Sequence, residues 1–562
     1  MQESADSFYQ SGVEFCGRGL LDEALAAFEA ARRAEPTSVE VAAGCAQVLF
    51  ALRRYREAIP YFLETDLFAR LGDCYHVTHQ YESAVEAYRR AVAVDAGSAD
   101  TWYSLGCALN SMQAYAASAA AFERVIAMQP SFLEAHHNLG RALFETGRIT
   151  EAMQHFASAA QGPQAELPLT MMALVAPGCA EYGHADLLAL RSGWARRYLP
   201  RAERPKVPAF AGDRRISVGY LSSFFHRPNW MKPVWALIGA HDRSRFELFI
   251  FAESPAPAGM RDEFHDISAL SNEEAARVIA DCRLDLLVDL NCYSAPERLG
   301  LLALRPAPRI VAWFNLYATS GMACYDYLIG DSVVIPPAEE QFYCEKILRV
   351  AGSYLTFDVA YDVPEVAVER AARPFTFGCL ASQYKITGAV LDAWCRILRA
   401  APGSRMLIRN SALGAADVRE YLLAEFVARG VAAHRVQLEG PAEHFEFLQT
   451  YDRIDVALDT FPYNGGTTTT EAIWQGVPVV TFLGDRWASR TSASLLLAGD
   501  LGEFVRLDVD DYVEFAVKLA EAGVVAGRSE MRSRLRRTAV CDVPGFTRQM
   551  EQLYGEIVRN IE

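Results

Sequence analysis

Small residues recur along the first part of the chain at a fixed phase. Gly12, Ala46, Gly72, Gly106 and Gly140 follow one another at intervals of 34, 26, 34 and 34 residues. Twelve positions after each comes a second small residue (Ala24, Ala58, Ala84, Ser118, Ala152), and four later an aromatic (Phe28, Phe62, Tyr88, Phe122, Phe156). This period predicts five stacked pairs of antiparallel helices, with one unit trimmed, over residues 1–166. From 167 to 212 the phase is lost, and Pro168, Pro177, Pro200, Pro205 and Pro208 punctuate what reads as a helical connector. At 215 the pattern changes to short apolar runs separated by helical stretches. RISVGYLSS, FELFIFAE, LDLLVDLN, RIVAWFN and YDYLIGD predict strands of one parallel sheet; FTFGCL, RMLIRN, RVQLEG, IDVALDTF and PVVTFLG predict a second. Two Rossmann-like lobes, 213–360 and 361–540, would be joined near 355–372 and followed by an amphipathic helix over 541–562.

The phase of the helical units resembles the tetratricopeptide repeat, in which the small residues let helices approach and the aromatic packs between neighbours. Such an array serves either as a stabilising platform or as a curved groove for an extended peptide or partner protein. The expected partner of such a groove is a protein.

Composition narrows the function. A chain of 562 residues needs more than one core, and 51% apolar with 22% charged residues is the balance of folded domains. The net charge of −16 argues against nucleic acid as a partner, because a phosphate backbone needs a basic stripe. No apolar run reaches the roughly 20 residues of a membrane span, and the start, MQESADSFYQSG, lacks the basic and apolar segments of a signal peptide. Twelve cysteines are scattered without a CxxC pair or other metal spacing. The expectation is a cytoplasmic protein with reduced thiols and no metal.

The segment IDVALDTFPYNGGTTTTEAIWQGVPVVTFLG carries the chemistry. A strand runs into a loop with Asn464, Gly465 and Gly466, then into a helix opening at Thr467, Thr468 and Thr469 and ending at Gly476 and Pro478. The glycines would allow positive φ and close backbone approach, and the exposed N–H groups of the first turn suit a phosphate. The threonines either cap the helix or donate to phosphate oxygens. Glu471 would repel phosphate but accept hydrogen bonds from ribose hydroxyls.

DTFPYNGGTTTTEAIWQGVPVVT with GDRWASRTSASLL closely resembles the second lobe of the O-linked N-acetylglucosamine transferase and SPINDLY family. SQYKI at 382–386, ALRPAPRIVAWFNLYATSG at 303–321 and YLSSFFHRP at 220–228 are similar to further family segments, in order. The resemblance implies a repeat solenoid followed by a GT-B fold, and inverting, metal-independent transfer from a nucleotide sugar to a Ser or Thr hydroxyl. It implies that Lys385 neutralises the departing diphosphate, with Gln383 of the same segment, the Asn464–Gly466 loop and the threonines around the nucleotide sugar. Glu471 matches the family's ribose ligand, His444 a histidine that stacks on the base, and His226 the first-lobe histidine near acceptor and sugar; Asp289 is the second first-lobe candidate. The chain departs from the family pattern at Gly466, at Tyr317 and Ala318, at Asn291-Cys292-Tyr293, and at Trp230 and Met231. UDP-N-acetylglucosamine is the leading donor. GDP-fucose or another activated sugar is the alternative, and an inactive repeat scaffold the non-enzymatic one.

Overall fold

The structure is a computed structural model that describes residues 4–203, 205, 210, 212, 214–359, 361–366, 373–523 and 527–559. The chain forms two compact units, Met1–Thr146 with Ala415–Val418, and Gly147–Gly414 with Arg419–Glu562.

The first unit is helical. Ala5–Gly17 pairs with Leu21–Ala34, Val39–Ala51 with Tyr55–Phe62, Phe68–Val77 with Tyr81–Val94, and Ala99–Ser111 with Tyr115–Met128, and Leu133–Glu145 follows. The trimmed unit is the second, whose Tyr55–Phe62 helix has 8 residues and contains Pro60. The small positions do what their spacing predicted. A Cβ on Gly12 would lie 2.8 Å from the Phe28 ring, on Gly72 2.6 Å from Tyr88, and on Gly106 2.7 Å from Phe122. Gly44, which the phase did not single out, abuts Phe28 at 2.8 Å in the same way.

The first compact unit ends at Thr146, inside the repeats expected to run to residue 166. The helix Ile149–Ala159 completes the last pair in sequence but belongs to the second unit. Gly147, at φ +86, brings the backbone so close to the second lobe that a Cβ there would meet the Ile386 carbonyl oxygen at 2.2 Å. Thr150 then donates to Glu181 at 2.7 Å.

The second unit holds two parallel sheets. The first comprises β1 Ile216–Ser222, β2 Phe246–Ala252, β3 Glu263–Asp266, β4 Leu286–Asp289, β5 Ile310–Ala312, β6 Tyr327–Gly330 and β7 Lys346–Arg349, in the order β3-β2-β1-β4-β5-β6-β7. The second comprises β8 Thr376–Cys379, β9 Arg405–Arg409, β10 Val436–Glu439, β11 Val456–Leu458, β12 Val479–Phe482 and β13 Val505–Arg506, in the order β10-β9-β8-β11-β12-β13. All ten predicted strands are present. The three that pattern did not find, β3, β7 and β13, lie at sheet edges and are half-exposed, so their apolar signal is diluted.

The connector forms the helices Glu166–Val175 and His184–Tyr198, and it anchors both lobes. Buried Arg191 donates to the carbonyls of Leu316 (3.3 Å) and Thr319 (2.7 Å) after β5. From the second lobe, Arg486 donates to the carbonyls of Cys179 (2.8 Å) and Tyr182 (2.7 Å). Expected positions 204, 206–209 and 211 of the connector, and 360 and 367–372 of the lobe junction, lie outside the described residues. The final helix, Val543–Arg559, returns to the first lobe: Tyr554 meets Tyr220 at 3.1 Å and Glu551 meets His241 at 3.0 Å.

Gly106→Val should lower stability by about 1–3 kcal/mol, the range for overpacking a filled core, although valine is a better helix former than glycine. Chemical denaturation of the two proteins measures it, and an unchanged midpoint would show that the Phe122 ring has room to move.

Candidate active site

The phosphate-binding corner is built on the end of β11. Asp459 follows that strand, is buried, and accepts from the Gly465 N–H at 2.9 Å and the Thr481 hydroxyl at 2.7 Å. Asn464 closes the loop below: its side chain donates to the Thr460 carbonyl at 2.7 Å, and its N–H to the Ala488 carbonyl at 2.8 Å. Neither Gly465 nor Gly466 has positive φ. Close approach alone requires glycine at 465, where a Cβ would lie 2.6 Å from the Thr469 hydroxyl and 2.8 Å from that of Thr468. Gly466 is the N-cap of the Thr467–Trp474 helix, so the Thr467 and Thr468 N–H groups precede the first intrahelical acceptor.

The threonines divide. Thr467 and Thr468 are half-buried at the mouth of the turn. Thr469, expected on the phosphates, is buried instead and shares a 2.8 Å hydrogen bond with Ser492, whose hydroxyl also reaches the Gly465 carbonyl at 3.0 Å. Its job here is to hold the loop to the next helix.

Lys385 sits in the short 3-10 turn Gln383–Lys385 after β8. Its Nζ donates to the Asn464 carbonyl at 2.7 Å and lies 4.2 Å from the centre of the Tyr463 ring. Burial pushes the ammonium down to about 8, against the pull of the Asp459 carboxylate. Sequence reasoning missed Asp459, although a strand-terminal aspartate ahead of Gly-Gly was there to be read. Gln383 is buried beside the lysine; its Oε1 accepts from Asn410 at 3.2 Å, while its Nε2 has no hydrogen-bond partner among the described residues.

Glu471 and His444 come together, but with a residue that sequence did not offer. Glu471 is buried and forms an ion pair with Lys232, which opens the first-lobe helix Lys232–Ala240. The expected ribose ligand therefore bridges the lobes in this structure. Burial pushes the Glu471 carboxyl up and the Lys232 ammonium down, and the pairing opposes both shifts. His444 Nε2 lies 3.5 Å from the same carboxylate, and its ring meets Tyr361 edge-on at 5.1 Å. Burial and the nearby Lys232 charge push the imidazole down to about 4, so it is neutral at ordinary pH. Lys232, Phe357, Gly466, Thr467 and Thr470 line a narrow recess leading to the threonine turn. A lone lysine in NWMKPV carries no motif, and only the fold brings it to Glu471.

On the first-lobe side, His226 is exposed on the turn after β1, with Arg227 Nε 3.3 Å from its Nε2. Asp289 ends β4 and is fully buried. It accepts from the N–H groups of Asn291 (3.2 Å) and Cys292 (2.8 Å) and from the Tyr325 hydroxyl (2.6 Å). That places Asp289 beneath the loop as its organiser, not at an open surface where it could take a proton. Asn291 passes the order on, accepting from the Ser223 N–H at 2.8 Å and donating to the Ser223 hydroxyl at 3.1 Å, three residues before His226. The departures cluster here. Trp230 packs edge-on to Phe224 at 4.5 Å, and Tyr317 meets Tyr463, the ring under Lys385, at 4.9 Å.

Two parallel-sheet lobes bridged by Lys232–Glu471, with a cation against a glycine loop at a helix N-terminus, define a fold of two Rossmann-like lobes of the GT-B type. The comparisons with known proteins give the family. The pattern described as glycosyl transferase family 41 matches residues 205–373 and 361–543, and tetratricopeptide repeat patterns match 9–70, 65–97 and 103–166. This chain belongs to glycosyl transferase family 41. A probable UDP-N-acetylglucosamine–peptide N-acetylglucosaminyltransferase SPINDLY of Oryza sativa subsp. japonica is 30% identical over 390 residues, covering 65% of this chain and 41% of that protein. The SPINDLY protein of Arabidopsis thaliana is 32% identical over 361 residues, covering 61% and 39%. The chain thus spans about two fifths of the length of these plant relatives. The solved structure of a mutant O-GlcNAc transferase from Thermobaculum terrenum matches with a TM-score of 0.76 at 29% identity, covering 88% of this chain and 97% of that one.

Two measurements test the site. Lys232→Met strands a buried carboxylate and should cost about 3–5 kcal/mol of stability, most of it recovered by adding Glu471→Gln; equal unfolding midpoints for the single variant and the parent protein would remove the bridge. UDP affinity should hold while Lys385 is charged and fall as pH rises through about 8, by up to about tenfold per pH unit. Lys385→Arg, charged throughout, should flatten the profile in calorimetric titration.

Proposed function

We propose that this chain is a protein O-glycosyltransferase that moves N-acetylglucosamine from UDP-N-acetylglucosamine to a Ser or Thr hydroxyl, by inversion and without a metal. The observation that carries the reading is Lys385, seated against the Asn464 carbonyl beside the N-terminus of the Thr467–Trp474 helix. A departing diphosphate needs preorganised positive charge, and a desolvated ammonium next to unpaired first-turn N–H groups supplies it. The acceptor oxygen attacks the anomeric carbon from the face opposite the diphosphate. The bond from that carbon to the phosphate oxygen breaks with its electron pair going to UDP, and the hydroxyl proton passes to His226 or to the donor phosphate itself. Asp289 is left as the organiser of the first-lobe loop. His444, neutral and beside Glu471, would stack on the base, and Glu471 would turn from Lys232 to the ribose when the donor enters. We propose that the repeats select the acceptor. In support, Tyr9, Val13, Glu40, Gly44, Gln47 and Ala51 line a groove in the helical unit.

A GDP-fucose reading keeps the lysine and threonine roles and differs only at the base and sugar.

The full-length protein should transfer a single N-acetylhexosamine to protein acceptors from UDP-N-acetylglucosamine in excess EDTA, as read by intact-mass spectrometry. Lys385→Ala should fold normally and lose about 10²–10³ in rate. A folded Lys385→Ala protein with more than about half the parent turnover would take the lysine out of the mechanism. Activity that needs added Mg²⁺ or Mn²⁺ would overturn the metal-free chemistry, and transfer from GDP-fucose alone would move the donor assignment.

A further inference from the structure

Three side chains with metal-ligand chemistry converge at the outer edge of the first-lobe sheet, on residues that the transferase reading does not use. Glu263 and His265 are two positions apart on β3, so they project from one face of the strand. The helix Asn272–Asp281 follows that strand in the chain, and its C-cap is Cys282, whose sulfur returns to His265. One oxygen of Glu263, one ring nitrogen of His265 and the Cys282 sulfur all lie within 4.8 Å of one another. The His265 Nε2 stands 3.0 Å from Glu263 Oε1 and 3.5 Å from Cys282 Sγ.

A His265 Nε2–H can be shared between the carboxylate and the sulfur, while the Cys282 thiol donates to the Val278 carbonyl at 3.3 Å. A cation between the three groups would take the place of the shared proton and of the thiol proton. Bond lengths of about 2.3 Å to sulfur and about 2.0–2.1 Å to nitrogen or oxygen at a tetrahedral angle put ligand nitrogen and sulfur about 3.5 Å apart, and nitrogen and oxygen about 3.3 Å apart. The first separation is met as it stands, and the second needs a shift of a few tenths of an ångström by an exposed carboxylate. The imidazole is already oriented, because its ring stacks on Phe251 with centroids 5.1 Å apart and planes 12° from parallel. Asp281, next to Cys282, adds negative charge. A set of one thiolate, one imidazole and one carboxylate suits zinc better than calcium or magnesium, which take oxygen ligands.

We propose that Glu263, His265 and Cys282 form a zinc site that clips the edge strand β3 to the helix behind it, with water as the fourth ligand. The site is separate from the transfer chemistry. β3 lies two strands from β1, which carries the His226 turn, and two strand spacings amount to about 10 Å. A sheet edge is where pairing is weakest and where a clip adds most. Sequence spacing does not disclose the site, because Cys282 reaches the pair only when the helix folds back.

The test uses the full-length protein stripped with EDTA, dialysed, and titrated with Co²⁺ and then Zn²⁺. One equivalent of Co²⁺ should produce a thiolate-to-cobalt charge-transfer band in the near ultraviolet, and Zn²⁺ should displace it and raise the unfolding temperature. Cys282→Ser and His265→Ala should each weaken binding by more than about 100-fold, beyond the effect of an outer-shell partner. Cys344→Ser, at an exposed cysteine elsewhere, should leave it unchanged. In the unsubstituted protein, Zn²⁺ should protect the Cys282 peptide from alkylation, a readout that no folding defect can mimic. A cobalt band that survives Cys282→Ser overturns the proposal, and so does equal alkylation of Cys282 with and without Zn²⁺.

Discussion

The second unit is organised around keeping one ammonium charged in a place where water is scarce. Under the proposed function Lys385 leaves solvent to meet a phosphate, and burial alone would strip its proton. Asp459 answers this from the end of β11 and the Asn464 carbonyl answers it from the loop, with the Tyr463 ring beneath. The same carboxylate that steadies the lysine also accepts the Gly465 N–H, so the shape of the loop and the charge of the cation depend on a single buried group. That coupling leaves no space for a side chain at Gly465 and turns Thr469 inward to Ser492.

Buried cations do comparable work elsewhere in this unit. Arg191 and Arg486 spend their guanidinium protons on backbone carbonyls, tying the connector to the loop after β5 and to the second lobe. Arg490 reaches Glu339 with two contacts of 2.8 Å, a bidentate pair between the lobes. Lys232–Glu471 joins the lobes beside the threonine turn, and its carboxylate is the group proposed to receive a ribose. In a protein of large net negative charge, each of these buried cations has a defined partner.

The solenoid rests on a different constraint, the shape of one residue against another. At Gly12, Gly72 and Gly106 of the repeat phase an aromatic ring fills the volume of a missing side chain. This contact is local and repeated, so it needs no information from the rest of the chain.

That difference in reach separates what was legible in the sequence from what was not. The repeat phase, ten of the strands and the glycine loop could be read directly, because periodicity and turn chemistry act over a few residues, and the lysine segment could be read from its resemblance to a family. The edge strands β3, β7 and β13 could not, since a half-exposed strand of two to four residues carries little apolar signal. The end of the compact repeat unit at Thr146 was decided by Gly147 packing against Ile386, a contact between residues far apart in the chain. Positive φ was expected at the loop glycines, and close packing proved to be the reason for Gly465. Asp289, Thr469 and Glu471 were found as residue types in the right segments, but whether each faces a ligand, a loop or a lysine depends on which other groups compete for it. Lys232 and the Glu263–His265–Cys282 cluster carry no local mark at all. Their chemistry exists only where the fold brings distant side chains within a few ångströms, and no spacing along the chain encodes that distance.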